Sequence, residues 1–172
     1  MRLRGEVYRA HHPRWAYLPS SGEGAALHGG RFNPKGVAAL YTSRRLETAW
    51  LEAQQGFPFK AQPMTICAYA VDCEDVLDLT DEAERVRQGV SISDLACPWE
   101  DMASRGLTPP GWTMAKRLRA QGVVSVLVPS FAPGAGPADV NAVFWRWSDS
   151  PPHQVCVVDD QKRLPKDDAS WR

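Results

Sequence analysis

The chain has 172 residues, 44% of them apolar and 23% charged, with twenty basic and twenty acidic side chains and a net charge of zero. That length fits one domain, residues 1–172, with a sizeable core. The neutral balance argues against broad direct binding of nucleic acid, and no apolar run approaches the roughly 18 residues of a membrane span.

The N-terminus, MRLRGEVYRA, lacks the apolar stretch of a signal peptide. The four cysteines, Cys67, Cys73, Cys97 and Cys156, form no C-x-x-C pair and have no histidine at zinc-finger spacing. They read as buried, reduced thiols of a cytoplasmic protein, with no disulfide or metal framework. Seven tryptophans is a high count, and some are expected to line a cavity or an interface.

In chain order, Glu6–Arg9 reads as a short strand, and residues 10–30, rich in Pro, Gly, Ser and His, as an irregular segment. Val37–Thr42 is an apolar strand bounded by Gly36 and Ser43. A helix is expected from about Arg44 to Gln55, with Leu46, Ala49, Trp50 and Ala53 on one apolar face, Ser43 or Thr42 as N-cap, and Gly56 with Pro58 ending it. Met64–Val71 and Val76–Leu79 read as strands, Asp81–Gln88 as a short helix, and Ile92–Ala96 and Trp99–Arg105 as helical pieces. Trp112–Gln121 is a firmer helix, with Gly122 suited to C′. The β-branched run Val123–Val128 is a buried strand, Phe144–Trp147 and Val155–Val158 complete the set, and the charged tail from Asp159 is expected to order on a partner. Strands and helices do not alternate regularly, so the expected class is α+β with two small mixed sheets rather than a doubly wound fold.

The stretch GGRFNPKG, residues 29–36, sets Arg31 in a glycine-flanked turn. A guanidinium is a permanent planar cation suited to phosphate, and flanking glycines admit a ligand close to the backbone. Taken alone, Arg31 is most simply a surface turn residue, and Glu52 a solvated edge of its helix. Together with Tyr41 at the end of the strand they supply a cation, an aromatic plate and a carboxylate on one strand–helix unit, which suits a nucleotide with a charged leaving group. Ser130, after the late strand, either points into a site or caps a turn. Asn141 either orients a ribose hydroxyl or satisfies a turn. No G-x-S-x-G, Walker A or complete G-x-G-x-x-G pattern occurs, and His11, His12, His28 and His153 lack metal-like spacing.

VYR near the N-terminus, GGRFNPKG…LYTS with a glutamate eleven residues after Tyr41, VPS after a late strand and N-x-VFW beyond it resemble the RES-domain family over about Tyr8 to Val158. That family comprises bacterial toxins of type II toxin–antitoxin pairs, named for an arginine, a glutamate and a serine, which match Arg31, Glu52 and Ser130 here. The resemblance implies an ADP-ribosyltransferase-like core and NAD⁺ as substrate. Some members release free nicotinamide, and others attach ADP-ribose to a protein.

Breaking the C1′–nicotinamide bond of NAD⁺ gives an oxocarbenium-like transition state. In that chemistry Glu52 accepts from a ribose hydroxyl and favours positive charge at C1′. Arg31 binds phosphate or ribose, Tyr41 packs on nicotinamide, and Ser130 orients the ribose or Glu52. Arg9, from VYR, is a second cation for the pyrophosphate. No metal is required. Mono-ADP-ribosylation of a host protein is the expected outcome. The alternatives are a glycohydrolase or phosphorylase that depletes NAD⁺, a ribonuclease, or an inactive interaction module. The resemblance further implies a cognate antitoxin that blocks the cleft in a hetero-oligomer, with any contact to nucleic acid made through that partner.

Overall fold

The computed structural model describes residues 1–54 and 62–172. Seven strands, β1 (Leu3–His11), β2 (Leu40–Ser43), β3 (Thr65–Cys73), β4 (Val76–Asp78), β5 (Ser125–Pro129), β6 (Val140–Phe144) and β7 (His153–Val157), line up in the order β4-β5-β6-β2-β1-β3-β7. Six α-helices flank them among the described residues: α1 (Glu23–His28), α2 (Leu46–Ala53), α3 (Glu82–Gln88), α4 (Ile92–Leu95), α5 (Trp99–Ser104) and α6 (Pro110–Ala120). No helix of the described residues is long and apolar enough to cross a membrane.

The α+β class is as expected. The two expected sheets are halves of one. β1, β3 and β7 pair antiparallel; β4 pairs parallel with β5, and β5, β6 and β2 continue antiparallel. The halves meet through a single residue pair, Tyr8 opposite Ser43. Only the β4–β2 half is mixed: β4 runs parallel to β5, the next strand in the chain, and is joined to it by a crossover through the helices of residues 82–120.

Alternation along the central strands assigns the two faces. Val126, Val128 and Val143 point to a cluster with Leu79, just after β4, and with Leu95, Met114 and Leu118 from the helical layer. Leu127, Ala142 and Phe144 point the other way, to Val7, Tyr69, Val71 and Val155 of the β1–β3–β7 half. A strand apolar on both faces reads as an unbroken hydrophobic run, which is why β5 stands out in the sequence.

Several boundaries differ from the sequence expectation. β1 is longer, since β3 supplies nine consecutive partners from Leu3 to His11. A short helix, α1, lies inside the segment expected to be irregular. The strand expected at Phe144–Trp147 lies earlier, at Val140–Phe144, because β2 and β5 hydrogen-bond it on both sides. Neither Ser43 nor Thr42 caps α2: its N-cap is Arg45, without a side-chain bond, because Ser43 donates to Asn141 and Thr42 to the Ala142 carbonyl. The inward face of α2 is built on Thr48 and Ala49 rather than on Leu46, which is 47% exposed. The helix end expected at Gln55, Gly56 and Pro58 lies outside the described residues. In the tail, the Asp159 carboxylate accepts from the backbone of Arg163 and Leu164, and Trp171 meets His12 edge-on at 5.1 Å.

Candidate active site

The glycine-rich turn is held from four sides. Gly30 and Asn33 pair backbone to backbone, setting Arg31 and Phe32 at the tip. The Asn33 side chain is fully buried; its Nδ2 donates to the carbonyls of Ala25 and Val37, both at 2.8 Å, and its Oδ1 accepts from the Tyr41 hydroxyl at 2.7 Å. The same hydroxyl accepts from the Phe32 amide at 2.9 Å. A Cβ on Gly30 would lie 2.5 Å from that oxygen, so the close approach requires glycine. Two tryptophans complete the grip, Trp112 Nε1 donating to the Gly30 carbonyl at 2.7 Å and Trp145 Nε1 to the Phe32 carbonyl at 3.0 Å. Burial pushes the Tyr41 phenol far above its usual range, so it stays protonated and keeps donating to Asn33.

Arg31 reaches across to the end of α4. Its Nη1 donates to the carbonyls of Leu95, at 3.2 Å, and Cys97, at 2.6 Å. Its guanidinium carbon lies 5.2 Å from the centre of the Phe131 ring, within cation–π range. The cation is therefore oriented by the protein before any ligand arrives.

Glu52 projects from the inward face of α2 toward β6 and the β5–β6 loop. Its Oε1 accepts from Ser130 Oγ at 2.5 Å and from Asn141 Nδ2 at 2.5 Å. Asn141 Oδ1 in turn accepts from Ser43 Oγ at 2.7 Å. Asn141 thus lies in a central strand and not in a turn, and its amide bridges Glu52 and β2.

These elements enclose two adjoining hollows of about 260 and about 460 Å³. Arg9, Tyr41, Glu52 and Asn141 line both, and Arg31, Phe131 and Trp99 line the larger. The cleft lies at the junction of the two half-sheets, where β1 and β2 share one residue pair. Five of the six residues singled out from the sequence line this cleft. Ser130 stands behind it and reaches it through Glu52. Arg9 is anchored by Nη1 to the carbonyls of Pro19 and Ser21, both at 3.0 Å. Among the described residues no group of three or more His, Cys, Asp or Glu is placed to hold a metal ion.

Sequence reasoning missed the residues that hold this set in place. Asn33 stands in the GGRFNPKG turn, but only the fold shows that its amide closes the turn onto Tyr41. Trp112 and Trp145 are two of the seven tryptophans, and their N–H groups work as anchors for a loop rather than as a cavity wall. The abundance of Trp was the only available signal.

The RES domain family model matches residues 6–167, nearly the whole chain. Among curated proteins none matches. In three dimensions the chain resembles a chain of the M. tuberculosis MbcT–MbcA toxin–antitoxin complex, with a TM-score of 0.64 and 22% identity over 92% of this chain and 84% of that one. At that identity the likeness speaks for the fold. The family match is decisive by its length: this chain belongs to the RES domain family.

Proposed function

We propose that this RES-domain chain is the toxin of a toxin–antitoxin pair, and that it cleaves the nicotinamide–ribose bond of NAD⁺ and passes ADP-ribose to a host protein. The observation that carries the reading is the convergence on one cleft of an aromatic plate, two oriented guanidinium groups and a carboxylate held by two donors. The match to the RES family and the fold shared with a chain of a toxin–antitoxin complex support it.

The chemistry follows from the placement. Nicotinamide carries a positive charge in NAD⁺ and leaves as a neutral base, so the protein's task is to stabilise the cation left at C1′ and to hold both ends of the dinucleotide. Ser130 and Asn141 fix Oε1 of Glu52, aiming the carboxyl group at a ribose hydroxyl so that this hydrogen bond strengthens as C1′ becomes cationic. The Tyr41 ring, its hydroxyl engaged behind it, presents a flat face to nicotinamide. Arg9 and Arg31, both pre-tied to carbonyls, flank the course of the pyrophosphate. A cognate antitoxin covering the cleft restrains the activity in the producing cell.

The test is incubation of the purified protein with labelled NAD⁺, with and without host lysate, and mass analysis of the products. Nicotinamide release together with ADP-ribose on a protein supports the whole reading. Free or phosphorylated ADP-ribose replaces the protein acceptor by water or phosphate. Intact NAD⁺, or loss of RNA instead, overturns the reading. Glu52→Gln should lower nicotinamide release by at least ~10²-fold, the scale of removing one group that stabilises developing charge.

A further inference from the structure

Thr48 and Glu52 are four residues apart, on the same face of α2. Thr48 is fully buried, and its Oγ1 donates to Asp139 Oδ1 at 2.5 Å. Asp139 is itself 8% exposed, and Oδ2 accepts from the Gly136 amide at 2.8 Å. Its backbone carbonyl accepts from the Ser130 amide at 2.8 Å. Next along the chain, the Val140 carbonyl accepts from the Arg44 amide at 2.8 Å, just before α2 begins.

One residue therefore ties three things together: the first turn of the helix that carries Glu52, the loop that carries Ser130, and the start of the strand that carries Asn141. α2 has no N-cap side chain of its own. The Asp139 carboxylate stands at its first turn in place of one, with the sign the helix dipole favours. Arg45 Nη1 lies 3.7 Å from the same carboxylate.

We propose that the buried Thr48–Asp139 pair is a positioning clamp, which sets the distance between Glu52 and the donors Ser130 and Asn141 without touching substrate. The catalytic part of this inference rests on the NAD⁺-cleaving reading; the geometric part does not. A misplacement of about 1 Å far from the reacting atoms costs on the order of 10²-fold in rate. Loss of the clamp should therefore act on turnover and leave binding of the dinucleotide to Arg9, Arg31 and Tyr41 nearly unchanged.

The variants are Thr48→Val, which keeps the shape and removes the donor; Thr48→Ser, which keeps the donor; and Asp139→Leu, which keeps the approximate size and removes the acceptor. Nicotinamide release is measured across NAD⁺ concentrations. The expected result for Thr48→Val is a fall in kcat on the order of 10–100-fold with KM within about twofold, and for Thr48→Ser recovery of most of that loss. Equal losses in Thr48→Val and Thr48→Ser, or full turnover in Thr48→Val, overturn the clamp. If Thr48→Val does not fold, Asp139→Leu carries the same expectation, and full turnover in it overturns the clamp. If the unaltered protein leaves NAD⁺ intact, the functional reading fails by itself, and a crystal structure of Thr48→Val decides the clamp. Glu52 parted from Ser130 and Asn141 upholds it; Glu52 still bonded to both overturns it.

Discussion

Gly111→Ala should destabilise the protein, although the change adds a better helix former to a helix. Gly111 is buried in the first turn of α6. A Cβ built there would lie 2.5 Å from the Arg31 carbonyl oxygen and 3.3 Å from the Phe32 ring. The Arg31 oxygen belongs to a backbone gripped by Trp112, Trp145 and Tyr41, so it has little room to yield. Helix propensity favours Ala by about 1 kcal/mol, overpacking costs roughly 1–3 kcal/mol, and a lost Trp112–Gly30 bond adds about 0.5–1.5 kcal/mol. The net is a loss of about 0.5–3.5 kcal/mol, which for a chain of this size lowers Tm by roughly 1–14 °C. Gly24, in α1, is the control: nothing lies within 4 Å of its Cβ position, so Gly24→Ala should be neutral or stabilising by up to about 1 kcal/mol. Thermal and urea unfolding of the two variants side by side measure the difference. If Gly111→Ala raises Tm as much as Gly24→Ala does, the Arg31 turn is not braced against α6 and the account of its rigidity is wrong.

Three other outcomes are expected. Ser130→Ala removes one donor to Glu52 and should slow nicotinamide release about threefold to tenfold, the kinetic equivalent of one hydrogen bond, with Tm little changed. Burial depresses the His11 pKa below its ordinary 6.5, so the unfolded chain binds the extra proton first. Stability should be complete above about pH 6.5 and decline as pH falls below it, and His11→Gln should flatten that slope in urea titrations. The Arg2 hydrogen bond, opposed in part by desolvation and aided by Arg4, holds Asp72 down to about 2. Its contribution should be complete above the ordinary carboxylate value of 3.8 and disappear as pH falls to about 2; acid unfolding of Asp72→Asn should lack that component.

The strands and helices legible in the sequence are those whose own residues decide them. β5 is apolar on both faces, α3 is capped by Asp81, and Gly122 stops α6 with a positive φ. The elements that shifted are those decided by neighbours. Nothing within VNAVF says that two strands flank it, and nothing in LETAWLEA says that Leu46 stays wet while Thr48 is buried. The candidate site was legible as residue types, because Arg31, Tyr41 and Glu52 crowd one strand–helix unit, and the RES resemblance favoured the site over the turn for Ser130. Its supports were not. Asp139 and Thr48 are 91 residues apart, and a polar residue that works by bracing another carries no spacing that sets it apart from a surface one.

The lacing of the β-structure has a mechanical consequence. β1 and β3 are stitched by nine rungs and β1 to β2 by one, so a wedge driven into the mouth of the cleft tears the weakest seam and leaves both flaps whole. Amide protons bordering that seam should exchange with solvent well before those along β3 or β5.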